Sequence, residues 1–354
     1  IAARQFPARG CGNNGHMGRV GAGLPLHADP GNQPPPLTPA TMFGEWKLDL
    51  LFLVPALAGL GLYLWGVGRL RARGDRWPLS RTLAWCVGGI GTAAVAGMSG
   101  LGAYDTVLFS VHMVQHMVLM MITPVFLAVG APVTLLLRNL GGPGRRRVMA
   151  VLHSWPARLL FHPVLATALM IATPYVLYLT QLYPFTLDND LAHDLLHVYM
   201  VTVGCMFFWP LVGNDPMPKR PAYPLRMLLF LITMPFTSFL GVTIMGSSRL
   251  IAEEWYLSFR RAWPPSPADD QYIAGAIMWA TGDLTMVVVM GVLFVEWLRD
   301  SRREAERIDR QLDREEELAA RRAQQAVAAD FNGYDEEPLP ADRPGPGRPD
   351  EEDR

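Results

Sequence analysis

The stretch Thr106-Val-Leu-Phe-Ser-Val-His112-Met-Val-Gln-His116-Met-Val-Leu-Met-Met-Ile-Thr-Pro124-Val-Phe-Leu127 decides the fold. It holds no Asp, Glu, Lys or Arg. A helix of about 20 mostly apolar residues crosses the hydrocarbon of a bilayer, because a helix pairs its backbone groups within itself. Six more stretches have this character, running roughly over 48–68, 82–100, 163–182, 191–212, 225–245 and 272–298. The sequence therefore predicts an all-α, polytopic membrane protein with seven transmembrane helices. Beyond Leu127 the third stretch stays apolar to Leu137, but Gly130 and Pro132 interrupt it. One straight helix of that length would overshoot the bilayer, so 131–140 reads as an interfacial extension.

Composition agrees. Half of the 354 residues are hydrophobic and 18% are charged, with the charge crowded into short segments. Lys and Arg number 31 against 32 Asp and Glu, which leaves no basic face for a phosphate backbone and excludes nucleic acid as a partner. Cys11, Cys86 and Cys205 form neither a Cys-x-x-Cys motif nor an even framework, which excludes a disulfide scaffold and a thiolate metal site.

Basic residues beside spans are retained on the cytoplasmic side. Arg69, Arg71, Arg73, Arg76 and Arg81 follow the first stretch; Arg138, Arg145, Arg146, Arg147 and Arg158 follow the third; Lys219, Arg220 and Arg226 follow the fifth. The loops after the second and fourth carry none, and the loop after the sixth, with Arg249, Arg260 and Arg261, is ambiguous. This pattern predicts an N-terminus outside and a cytoplasmic C-terminus. Four regions result: a flexible, Gly- and Pro-rich extracytoplasmic tail over 1–46, a seven-helix membrane domain over 47–298, a charged cytoplasmic helix over 299–329, and a disordered, acidic, Pro-rich tail over 330–354.

Polar side chains inside a span are costly and mark function. His112 and His116 in the third stretch, and His193 and His197 in the fifth, are two identical i,i+4 pairs, each stacking two imidazoles on one helix face. Both helices run inward under the predicted orientation, so all four histidines belong near the outer face. Met120 extends the first stripe, and Met113 and Met117 lie on the stripe beside it. Imidazole with thioether favours copper, above all copper(I), with zinc as the alternative if carboxylates join. Asp190, Asp194 and Gln115 are candidates to orient the imidazoles, and His16, Met17 and His27 in the tail are candidates for transient copper capture. Asp283, deep in the seventh stretch, is either a metal ligand or proton acceptor, or a carboxylate hydrogen-bonded to Thr or Trp within the bundle. A competing reading of the same histidines is a membrane-embedded zinc hydrolase, with three His ligands, a water, and Asp283 or Asp194 as base.

The run Leu108-Phe-Ser-Val-His-Met-Val-Gln-His116, followed by Pro124 and Gly130-Ala-Pro132, resembles the multi-span CtaG family of caa-type cytochrome c oxidase assembly factors. Trp46, Arg73-Gly74-Asp75-Arg76-Trp77-Pro78, His193 with His197, Trp209-Pro210-Leu-Val-Gly-Asn-Asp215-Pro216 and Trp279 extend the match over about 45–298. The resemblance implies a multi-pass protein of the bacterial plasma membrane, without enzymatic activity, that helps deliver or insert copper into a haem–copper oxidase. It implies the oxidase catalytic subunits, and other copper chaperones, as partners. Its pattern singles out His112, His116, His193 and His197.

Overall fold

A computed structural model describes residues 35–333 apart from 45, 48, 218, 219 and 260. The expectations placed on Cys11, His16, Met17, His27, Lys219, Arg260 and the acidic tail beyond 333 lie outside the described residues. Every regular element among the described residues is a helix.

Six helices are long and apolar enough to cross a membrane. The first three are α1 (Leu50–Ala72), α2 (Leu79–Tyr104) and α3 (Phe109–Asn139). The fourth expected stretch forms α4 (Pro163–Leu179), which is too short alone. At Thr180 the backbone becomes extended and the chain bends by 70° into Leu182–Asp188; together the two pieces have the composition of one span. Pro184 explains the break, since it offers no N–H to the Thr180 carbonyl. The other three are α5 (Asp190–Val212), α6 (Tyr223–Gly246) and α7 (Pro267–Gly333).

Two departures from the sequence reading matter. Residues 35–46 belong to the expected flexible tail, yet Pro39–Gly44 is helical. Leu37 and Met42 pack against Leu101, Tyr104, Val107, Leu108 and Val111. The backbone of Met42 rests on Gly100, where a Cβ would collide with it. The segment after Gly130, read from the sequence only as an interfacial extension, is built into the bundle. It restarts after the left-handed Ala131 (φ 51°) and packs on α1, with Leu135 among Tyr63, Val67 and Leu70, and Asn139 Nδ2 donating to the Gly66 carbonyl at 3.1 Å.

Carboxylates from distant parts of the chain cap the starts of the two segments of α3. Asp270 accepts from the Phe109 amide at 2.7 Å and the Ser110 amide at 3.2 Å. Asp215 accepts from the Val133 and Thr134 amides, at 3.2 and 2.6 Å, and from the Trp209 indole at 3.1 Å. Each occupies a helical start, where amides lack intrahelical partners and the helix dipole favours an anion.

Between these caps, α3 widens into a π turn at Val118–Ile122. Pro124 then leaves the Met120 carbonyl without its usual partner four residues on. That carbonyl and the Pro124 ring press against Gly204 of α5, where any Cβ would clash. Met113, Met117, Met120, Met200, Val203 and Phe207 share the main core around this contact. Close approach of α3 and α5 at Gly204 brings their histidine pairs side by side.

Among the described residues, those up to Phe294 form one compact unit and those from Val295 another. The charged helix expected over 299–329 is the continuation of α7, and Leu298 to Gln325 are exposed throughout.

Candidate metal centre

His112 and His116 lie in the first turns of α3, and His193 and His197 in the first turns of α5. Asn189 starts α5 by accepting from the Ala192 amide at 3.1 Å, which fixes where His193 emerges. The ring centroids of His112 and His116 are 3.8 Å apart and those of His193 and His197 are 4.6 Å apart. Across the helices, His112 lies 5.7 Å from His193 and His116 lies 5.6 Å from His197. The two pairs predicted from spacing thus form a single four-imidazole cluster.

Sequence reasoning missed the fifth member. Asp105, in the short connection between α2 and α3, sits 3.0 Å from His193 Nε2 and 3.8 Å from His197 Nε2. One ligand atom each from Asp105, His193 and His197 lies within 4.8 Å of the others. Asp105 and all four histidines are at most 4% exposed. Burial pushes the Asp105 carboxyl up, but the adjoining His193 and His197 outweigh it and hold it below the ordinary aspartate value. The available signal was a lone acid in a loop without Lys or Arg, seven residues before His112.

Aromatic side chains close the cluster. Tyr178 Oη lies 3.0 Å from His116 Nδ1 and 3.7 Å from Met113 Sδ. Tyr183 packs on His112 with centroids 4.6 Å apart and shares a 2.5 Å hydrogen bond with Tyr256. Phe52 of α1 meets His197 edge-on at 6.0 Å.

Five buried imidazole nitrogens have no hydrogen-bond partner among the described residues: both of His112, Nε2 of His116, Nδ1 of His193 and Nε2 of His197. Leaving a buried polar atom unpaired costs about 1–3 kcal/mol. Five such atoms together rival the whole net stability of a domain, about 5–15 kcal/mol. A cluster of this kind fits a cation bound by neutral imidazoles, and Asp105 supplies compensating charge. The donor set suits copper or zinc.

The remaining predicted residues are placed differently. Met113, Met117 and Met120 are buried in the main core, and the Met113 sulfur faces the Tyr178 hydroxyl. Asp283 accepts from Ser238 Oγ of α6 at 2.7 and 2.8 Å, so it has a hydrogen-bonded place within the bundle, with Ser as donor where Thr or Trp was expected. The group of close ligand atoms formed by Asp105, His193 and His197 includes neither Asp283 nor His112 and His116. Gln115 donates to the Ala96 carbonyl at 3.1 Å and ties α3 to α2.

The profile of a family described as cytochrome c oxidase caa3 assembly factor, Caa3_CtaG, matches residues 61–300, which take in all four histidines and Asp105. The chain belongs to this family. It is similar to uncharacterised proteins of Mycobacterium bovis and Mycobacterium tuberculosis, each 37% identical over 290 residues, covering 79% of this chain and 43% of the relative. A protein of Mycobacterium leprae is 35% identical over 289 residues, with the same coverage. The Caa3_CtaG chain therefore spans less than half the length of these relatives. No solved structure matches it.

Proposed function

We propose that this Caa3_CtaG chain holds a copper ion at His112, His116, His193, His197 and Asp105, and passes it to a haem–copper cytochrome c oxidase during assembly. The observation that carries the reading is the set of five unpartnered, buried imidazole nitrogens beside one carboxylate. Copper is cargo here, so the protein acts as a carrier without turnover. Protein donors that are imidazole and carboxylate, with no thiolate, suit an ion that must leave again. Tyr178 orients His116, and Asp105 orients His193, as outer hydrogen bonds orient ligating imidazoles.

In this reading α4 and Leu182–Asp188 form one bent span, which makes seven spans in a bacterial plasma membrane. The arginines at 69–81 and 138–158 then face the cytoplasm and the histidines the outer half. In the ambiguous loop after α6, Arg261 is paired with Asp270 at 3.8 Å with its side chain buried, which takes one of that loop's arginines out of the count, while Arg249 stays exposed. The oxidase catalytic subunits, with other copper chaperones upstream, are the partners.

The test is the metal content of the purified full chain beside a His112→Ala/His116→Ala variant, with oxidase spectra of a deletion strain. Near-stoichiometric copper that disappears in the variant, and loss of the copper-loaded oxidase from the strain, are expected. Zinc in place of copper would redirect the reading to a hydrolase. Equal copper in both proteins would overturn it.

A further inference from the structure

At the opposite end of α3 from the histidines, the chain builds a second polar feature that metal carriage does not use. An open cavity of about 490 Å³ lies between the end of α1 and the start of α2, lined by Arg71, Asp75, Arg76, Trp77 and Pro78. Its wall is rigid. The Trp77 indole is buried, donates to Tyr63 Oη at 3.2 Å, and Tyr63 in turn donates to the Gly130 carbonyl at 2.8 Å. The guanidinium groups of Arg81 and Arg138 lie over the Trp77 ring, 5.3 and 5.8 Å from its centroid. Arg138 also pairs with Asp75 at 3.4 Å and donates to the Arg76 carbonyl at 3.2 Å.

That arrangement spends the one carboxylate of the cavity on Arg138. Arg71 and Arg76 line the same space with no carboxylate partner among the described residues. Two unpaired guanidinium groups in a preformed hollow are a site for an anion with several oxygens, because Arg presents a planar fork of donors matched to phosphate.

The surroundings say which anion. The cavity joins two helices that each have the length and composition of a membrane span, α1 and α2. On the adjoining turns Leu62, Trp65, Leu79 and Leu83 are all more than half exposed, and Arg69 covers the Trp65 ring at 5.3 Å. An apolar, outward surface leading to a basic hollow at the end of a span has the form of a lipid site, with acyl chains along the helices and the headgroup in the hollow. The geometry points to a specific site for one anionic phospholipid, whose phosphodiester is held by Arg71 and Arg76 against Trp77. Such a lipid fastens the α1–α2 connection, and through Trp77, Tyr63 and Gly130 it reaches the break that separates the two halves of α3.

The experiment uses the purified full chain in neutral detergent. It is titrated with phosphatidylglycerol, phosphatidylcholine or inorganic phosphate, and retained lipid is read by native mass spectrometry together with the unfolding temperature. One phosphatidylglycerol per chain and a raised unfolding temperature are expected, with neither effect from phosphatidylcholine. Arg71→Gln/Arg76→Gln weakens phosphatidylglycerol binding roughly 25-fold, at about fivefold per arginine. Arg71→Lys/Arg76→Lys keeps the charge and loses the planar fork, so its binding falls between that of the unaltered chain and that of the glutamine pair. Equal retention of the two lipids, or unchanged binding by the glutamine pair, overturns the proposal. Inorganic phosphate that alone reproduces the thermal shift overturns the lipid assignment. The comparison of the two lipids on the unaltered chain needs no variant, so it decides even if the glutamine pair fails to fold.

Discussion

The two ends of α3 gather nitrogen-bearing side chains in opposite ways. At its start, four imidazoles and Asp105 are sealed beneath Tyr178, Tyr183 and Phe52, and five ring nitrogens have no partner. Near its end, Arg138 joins the arginines that surround Trp77, with their charged groups kept at the surface. The difference follows from chemistry. A neutral imidazole can be buried and still offer a lone pair, so it suits a cation in a dry pocket. A guanidinium stays charged and stays near water, so it suits an anion at the membrane boundary. Under the two proposals a cation is held at the start of α3 and an anion beside its far end, in the α1–α2 connection, so the two are separable by substitution.

The largest expected effect breaks the first end alone. His193→Ala/His197→Ala lowers bound copper in the purified protein at least 100-fold, measured by elemental analysis, while phosphatidylglycerol retention stays at its original level. Removing the charge without the shape comes next: Asp105→Asn weakens copper binding by roughly 10–100-fold in a competition titration with a chelator, the usual range for a group that supports ligating histidines. Tyr178→Phe keeps the packing and removes the contact with His116 Nδ1, so a loss near tenfold is expected in the same titration.

Two smaller effects concern stability. His112→Leu removes two unpartnered buried nitrogens, and the metal-free protein gains about 2 kcal/mol, seen as a higher unfolding temperature in detergent with chelator present. A drop instead would mean that the metal-free imidazoles are satisfied by water, which would weaken the argument for a bound cation. Asp270→Asn removes both the anionic cap on α3 and the partner of the buried Arg261, so it costs more than the about 1 kcal/mol of a cap alone by the same measurement, with copper content kept.

Much of this contrast was legible in the sequence. Apolar length marked the six helices long enough to cross a membrane, and the i,i+4 repeats at His112/His116 and His193/His197 put each pair on one face. The resemblance to CtaG proteins pointed to the same histidines. Asp105 was not legible because it lies in a loop, where periodicity carries no information, and 88 residues separate it from His193. Asp283 stayed open between two readings for the converse reason. A carboxylate in an apolar run marks a need for a partner but does not name it, and Ser238 is that partner. The bend after α4 was hidden because Pro184 stands past the apolar stretch whose end it dictates.

What the sequence by itself determined is local: which segments are helical and apolar, which faces carry imidazoles, and where arginine concentrates. These follow from hydrophobic periodicity and backbone pairing, both properties of consecutive residues. The tertiary structure alone decided which faces meet. The Met120 carbonyl freed by Pro124 needs a neighbour without a Cβ, and Gly204 provides it, so α3 and α5 close to the distance at which two separate histidine pairs and a loop carboxylate become one site. That contact depends on shape complementarity between segments about 80 residues apart, which no pattern within either segment encodes.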